Sequence, residues 1–195
     1  MKRNIEITSR PSAQQIENVL RRAQRRLEVR KSILGTIGSL IVVAAAVVLI
    51  LNLWIPVLQV QRSSMSPTLR DGDVVAFITT GQINRGDIIA FYHGSQVLVK
   101  RVIATYRDKL EIDDDGAVTL NGVLLDEPYV NAHHIGAYDP AVPTIVTDSR
   151  FFVMGDNRIA SIDSRNQEIG MIHRDQVIGK ALFRIWPLDN LGLIR

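Results

Sequence analysis

Along this chain the hydrophobic positions first recur with a helical period, then run together, then break into short segments of strand character. Near the N-terminus Ile16, Val19, Leu20, Ala23 and Leu27 share one helical face, and Ser12 with Gln15 fits a capping box at its start. From Ser32 to Leu53 the sequence reads SILGTIGSLIVVAAAVVLILNL, apolar on every face. A helix of that length measures about 33 Å at about 1.5 Å per residue, enough to cross a bilayer's hydrocarbon core. Trp54 and Pro56 follow, as expected where a helix leaves the bilayer.

Past Trp54 the pattern changes to short runs rich in Val, Ile and aromatics, separated by turn residues. Strands are predicted at 74–79, 88–92, 96–106, 110–112, 117–120, 151–154 and 177–186. Asp115-Gly116 and Asn121-Gly122 are hairpin-turn dipeptides. Arg174–Val177 has room for a short helical turn, and residues 131–150 read as an irregular surface excursion. The expectation is a mainly β chain: a basic arm (1–31), a transmembrane helix (32–54) and one β domain (55–195).

Charge then orients the molecule. The net charge is +3, but residues 1–31 carry nine Lys/Arg against three acids, 32–61 carry no charge, and 62–195 carry 14 Lys/Arg against 17 acids. The basicity therefore belongs to the arm, and no nucleic-acid partner is expected. The positive-inside rule places the N-terminus in the cytoplasm and the β domain outside, at the cell membrane. The arginines of the arm suit anionic lipid headgroups, with docking of a cytoplasmic partner as the alternative. With 46% hydrophobic residues the chain is not disordered, and zero Cys excludes disulfides, thiol catalysis and Cys-ligated metal. Neither His133-His134 nor Asp113-Asp114-Asp115 supplies a full ligand set, so no metal or cofactor is expected.

Three segments carry candidate chemistry. The first is the serine-rich turn Arg62-Ser63-Ser64-Met65-Ser66-Pro67-Thr68-Leu69, which taken alone reads more readily as a polar linker between anchor and domain. The second is Lys100, which on a strand shares a face with Leu98 and Val102. Toward a core, desolvation would lower its pKa and make it a neutral amine able to take a serine's proton; on an open edge it would simply point to water. The third is Gly155-Asp156-Asn157-Arg158 with Ser161, Asp163, Ser164 and Arg165, an ordered polar loop after a strand.

In this order the segments resemble the boxes of bacterial type I signal peptidases. Ser64-Met65-Ser66-Pro67-Thr68-Leu69 is similar to the nucleophile box, Arg85–Phe91 to the Gly-Asp box, and Val99-Lys100-Arg101-Val102-Ile103 to the general-base box. Asn121-Gly122 and Glu127-Pro128-Tyr129 fit the family's hairpin and its sequel. Gly155–Arg165 resembles the last large box, and Ile178–Ala181 through Trp186-Pro187 the ending. The resemblance covers nearly all of 54–195. It implies a single-pass anchor followed by a domain of coiled antiparallel sheets forming a partial barrel, and a Ser/Lys endopeptidase with Ser64 as nucleophile and Lys100 as general base. It further implies that Ser161 orients the lysine, that the Ser64 N–H donates to the oxyanion, and that Asp156, Arg101, Asp163 and Arg165 form supporting ion pairs.

Two departures stand out. Arg62 occupies the position where many relatives carry a second oxyanion donor and others carry Gly; Ser63 would point elsewhere on an extended backbone. Ile159-Ala160 replaces a common Asp-Asn pair. The partners implied are signal peptides of exported preproteins, with small residues at the first and third positions before the cut, together with membrane lipid and nearby export machinery. Trp186 reads as a core residue, or else as part of a surface dipping into the outer leaflet. A silent assembly factor and a self-cleaving regulator are the competing classes. Retention of both Ser64 and Lys100 weighs against the first, and the anchor against the second.

Overall fold

The computed structural model describes residues 13–79, 81–136, 138–139 and 145–194. The chain falls into two compact units, Met1–Ile50 and Leu51–Arg195. Helix α1 (Ala13–Trp54) is continuous, so the amphipathic and apolar segments form one rod rather than two elements. Its stretch Arg25–Leu49 is long and apolar enough to cross a membrane, and Leu34, Leu40, Ile41, Val42 and Leu49 are all exposed. Two hydroxyls within it are satisfied by the helix itself: Thr36 Oγ1 donates to Ser32 O at 2.9 Å and Ser39 Oγ to Thr36 O at 2.8 Å. That is the arrangement a hydrocarbon environment demands of polar side chains. The capping box expected at Ser12 and Gln15 lies outside the described side chains.

The second unit is built on β1 (Val57–Gln59), β2 (Val74–Ile78), β3 (Ile88–His93), β4 (Gln96–Ala104), β5 (Leu110–Ile112), β6 (Val118–Leu120), β7 (Val123–Leu124), β8 (Arg150–Met154), β9 (Ile172–His173), β10 (Val177–Trp186) and β11 (Gly192–Leu193). The large sheet runs β1-β2-β10-β3-β4-β8-β9, with β11 on β10; the small one runs β5-β6-β7. Every pairing is antiparallel. The mainly β expectation holds. Strands β1, β7, β9 and β11, of two or three residues each, escaped the sequence pattern because so few residues show no period.

Strand β3 explains why its sequence is apolar without alternation. Ile88 and Ala90 enter one core cluster with Met65, Leu69, Val75 and Phe77, while Ile89 and Phe91 enter another with Val102, Val153 and Ile172. Successive side chains face opposite sides, so this strand is buried on both. A third cluster, Ile103, Leu110, Val118, Leu120, Phe152 and Met154, joins the small sheet to β4 and β8. The Asn121-Gly122 dipeptide makes the tight turn between β6 and β7, with φ of 53° and 83°. Arg174–Gln176 forms the expected short turn as a 3-10 helix.

Pairing along β4 is uneven, and this creates the groove. Gln96–Arg101 pairs with β3, but β8 joins only from Arg101 onward. The outer edge of Gln96–Lys100 is therefore open. Strand β1 is likewise paired on one side only, with β2.

Candidate active site

A groove of about 730 Å³ lies between those two open edges, lined on one wall by Leu58–Met65 and on the other by Gln96–Lys100. His93, Ala160, Ile162, Glu168 and Ile169 complete the lining. Ser64 and Lys100 meet in it: Lys100 Nζ lies 2.8 Å from Ser64 Oγ in a hydrogen bond.

The two residues reach this point by different routes. Lys100 is held by β4 on the face it shares with Leu98 and Val102, which pack on the same core cluster, and it is 4% exposed. Desolvation pulls its pKa down to about 8; the negative charge of Asp163 opposes the shift and Arg165 reinforces it. Ser64 sits on a series of turns, with Ser66 N–H donating to Ser63 O at 3.0 Å and Leu69 N–H to Met65 O at 2.8 Å. Met65 and Leu69, fully buried, anchor this turn into the core. The extended backbone expected around Ser63 is thus replaced by turns, because Arg62 adopts a φ of 70° and its N–H is held by Asp71 Oδ1 at 2.6 Å.

The polar loop after β8 closes the site from a third side. Asn157 N–H donates to the Ser64 carbonyl at 3.0 Å. Arg101 grips Asp156 with two bonds, Nε to Oδ1 at 2.9 Å and NH2 to Oδ2 at 2.7 Å, and both residues are buried. Thr68 Oγ1 donates to the same Asp156, at 2.5 Å, and so couples the nucleophile turn to the base strand. Asp163 accepts Arg165 Nε at 2.8 Å and the Gly155 N–H at 2.9 Å. Arg165 also donates to the carbonyls of His134, Ile135 and Arg158, fastening part of the surface excursion to the loop.

Ser161 is buried here and packs against Gly155, yet its hydroxyl makes no hydrogen bond among the described residues. Its expected contact with the lysine amine is not formed. The replacement Ile159-Ala160 is exposed, and Ala160 lines the groove.

Some contacts in the network were not foreseen from the sequence. Glu127 is buried and accepts from Arg158 NH2 and from Tyr129 Oη at 3.0 Å, while Arg101 stacks over the Tyr129 ring at 4.0 Å. A Glu before Pro in a hairpin sequel gives no hint that it will neutralise a buried arginine. Arg184 on β10, which donates to the Thr68 carbonyl, is equally silent in sequence. Trp186 corrects an expectation: although β10 pairs it with Val74 of β2, it is 54% exposed rather than core, and Leu188, Leu191 and Leu193 just beyond it are exposed too.

The family model described as signal peptidase, peptidase S26, matches residues 33–186. The chain belongs to this family. A signal peptidase IB of Staphylococcus aureus (strain COL) is 32% identical to this S26 peptidase over 182 residues, covering 83% of the chain and 94% of the relative. Signal peptidase I S of Bacillus subtilis (strain 168) is 32% identical over 174 residues, with the same coverage of 83% and 94%. A solved signal peptidase I from Enterococcus faecalis V583 superposes with a TM-score of 0.43 at 28% identity, covering 51% of this chain and 97% of that one.

Proposed function

We propose that this S26 peptidase cleaves signal peptides from exported preproteins by a Ser/Lys mechanism. In the active form, with Lys100 deprotonated, its neutral amine accepts the Ser64 O–H. As the Ser64 Oγ–carbon bond forms at the scissile carbonyl, the proton passes to Lys100, and the Ser64 N–H donates to the developing oxyanion. The lysinium then protonates the leaving amine as the C–N bond breaks, giving the acyl-enzyme. The free amine next deprotonates water, which releases the acid and returns the proton to Ser64. Asp156–Arg101 and Asp163–Arg165 hold the parts in place without taking protons, and Ser161, whose buried hydroxyl is left without a partner among the described residues, is the residue to orient the lysine amine.

The observation that carries this reading is the 2.8 Å approach of a buried Lys100 amine to Ser64 Oγ. The two open strand edges support a peptide substrate, because an extended chain laid between them has backbone partners on both sides. Helix α1 anchors the enzyme, with the arm 1–31 in the cytoplasm, 32–54 in the bilayer and 55–195 outside. Ser64 follows Trp54 by ten residues, near the outer leaflet where a preprotein emerges beside the export machinery. The exposed end of Trp186, Leu188, Leu191 and Leu193 supports contact with that leaflet.

The test is incubation of purified full-length protein in detergent with a preprotein. Wild type should release the mature chain while Ser64→Ala and Lys100→Ala do not; cleavage by Lys100→Ala at the wild-type rate would sink the dyad.

A further inference from the structure

Arg62 combines features that the proposed mechanism leaves unused. It lines the groove two residues before the nucleophile, and its side chain is exposed. Its φ of 70° lies in the left-handed region, which glycine adopts freely and an arginine only with strain. Its backbone N–H is taken by Asp71, but its guanidinium has no partner among the described residues. A strained non-glycine backbone beside a nucleophile points to a use for the side chain that glycine would lack.

We propose, on the basis of the peptidase reading above, that Arg62 is a specificity residue whose guanidinium receives a substrate carboxylate within two residues of the cut. The groove then favours acidic over cationic sequence at that point. Guanidinium donors are arranged as a fork that matches a carboxylate with two bonds. The other charged or titratable side chains of the lining are Lys100 at the nucleophile, His93, and Glu168. Glu168 adjoins Ile169, which packs on the same core cluster as Leu98 of the facing wall. No lining carboxylate therefore comes from the segment that bears Arg62. A direct role at the oxyanion fits less well. Donors to an oxyanion act by being fixed beforehand, and nothing among the described residues fixes this guanidinium.

The experiment uses full-length protein in detergent and peptides that differ only at the second position before the cut or the first after it, carrying Asp, Asn or Lys. Wild type should show a kcat/KM about two- to fivefold higher for Asp than for Lys, the range of exposed charge pairs, and the ratio should shrink in about 0.5 M salt. Arg62→Gln and the strain-free Arg62→Gly should bring the ratio near one, and Arg62→Glu should invert it. An unchanged ratio in Arg62→Gln overturns the proposal. So does an equal fall in kcat for all three peptides, which would place the guanidinium at the oxyanion. If wild type fails to cut even the Asn peptide, the peptidase reading itself has failed, and this proposal with it.

Discussion

The carbonyl oxygen of Ser64 accepts the Asn157 N–H at 3.0 Å, so the peptide of the proposed nucleophile is stapled to the loop that carries Asp156 and Ser161. Gly155 makes this approach possible. A Cβ there would lie 2.5 Å from Ser64 O and 2.3 Å from Ser161 Oγ. The hydroxyl could rotate away, but the backbone oxygen could not. Gly155→Ala should therefore lower kcat by about 10²-fold or more through displacement of Ser64, with KM little changed, since small misplacements of reacting groups have effects of that order. Adding Ser161→Gly relieves only one of the two collisions, so the double variant should recover little. Steady-state kinetics on a preprotein checks this, and full recovery in the double variant would show that the hydroxyl alone was responsible.

The Arg101–Asp156 pair is buried and bonded on two atoms, and Thr68 completes the carboxylate's shell. Removing one charge leaves the other uncompensated in the interior, which typically destabilises by about 3–5 kcal/mol. Asp156→Ala should thus lower the melting temperature strongly. Arg101→Met with Asp156→Leu should regain much of that stability while leaving activity low, because Thr68 loses its acceptor and the nucleophile turn its tie to β4. A double variant that melts no higher than Asp156→Ala would mean that packing, not unpaired charge, sets the loss.

The fold was legible where burial imposes a period over several residues. The apolar runs of β3, β4 and β10 announced strands, with β4 ending at Ala104 rather than Tyr106. Two-residue strands such as β7 and β9 depend on partners distant in sequence and leave no local signal. In the site, Ser64 and Lys100 were readable because each sits in a recognisable box, and the structure places them in contact across 36 residues. The conformation of Arg62 was not readable, since nothing in a side chain announces a positive φ that a distant carboxylate, Asp71, helps to hold. Glu127 and Arg184 were missed for a similar reason: their partners, Arg158 and the Thr68 carbonyl, are supplied by tertiary folding alone.

Because the proposed base must be neutral, activity should follow the deprotonation of Lys100. With a pKa of about 8, pulled down by burial, kcat/KM should rise with pH and level off above about 8. Each unit below that value should lower the rate about tenfold, so that cleavage at pH 6 is about a hundredth of the plateau. A pH series with Ser64→Ala as the blank measures it. A profile flat from pH 6 to 9 would argue against Lys100 as the titrating group.

The same burial makes Lys100 a burden on stability. Its folded pKa of about 8 lies below the ordinary lysine value, so the folded state holds the proton less well than the unfolded chain. Below about pH 8 both states are protonated and the full penalty, about 3 kcal/mol, applies. Between about 8 and 10.4 the unfolded chain binds more protons, and stability therefore rises with pH as the penalty fades. Lys100→Met keeps the stem's packing without the charge. It should abolish cleavage and yet melt higher than wild type at pH 7, with the gap closing toward pH 10. Thermal unfolding of both proteins at the two pH values reads this directly. A variant that melts below wild type at pH 7 would mean that the lysine contributes more through its bond to Ser64 than its burial takes away.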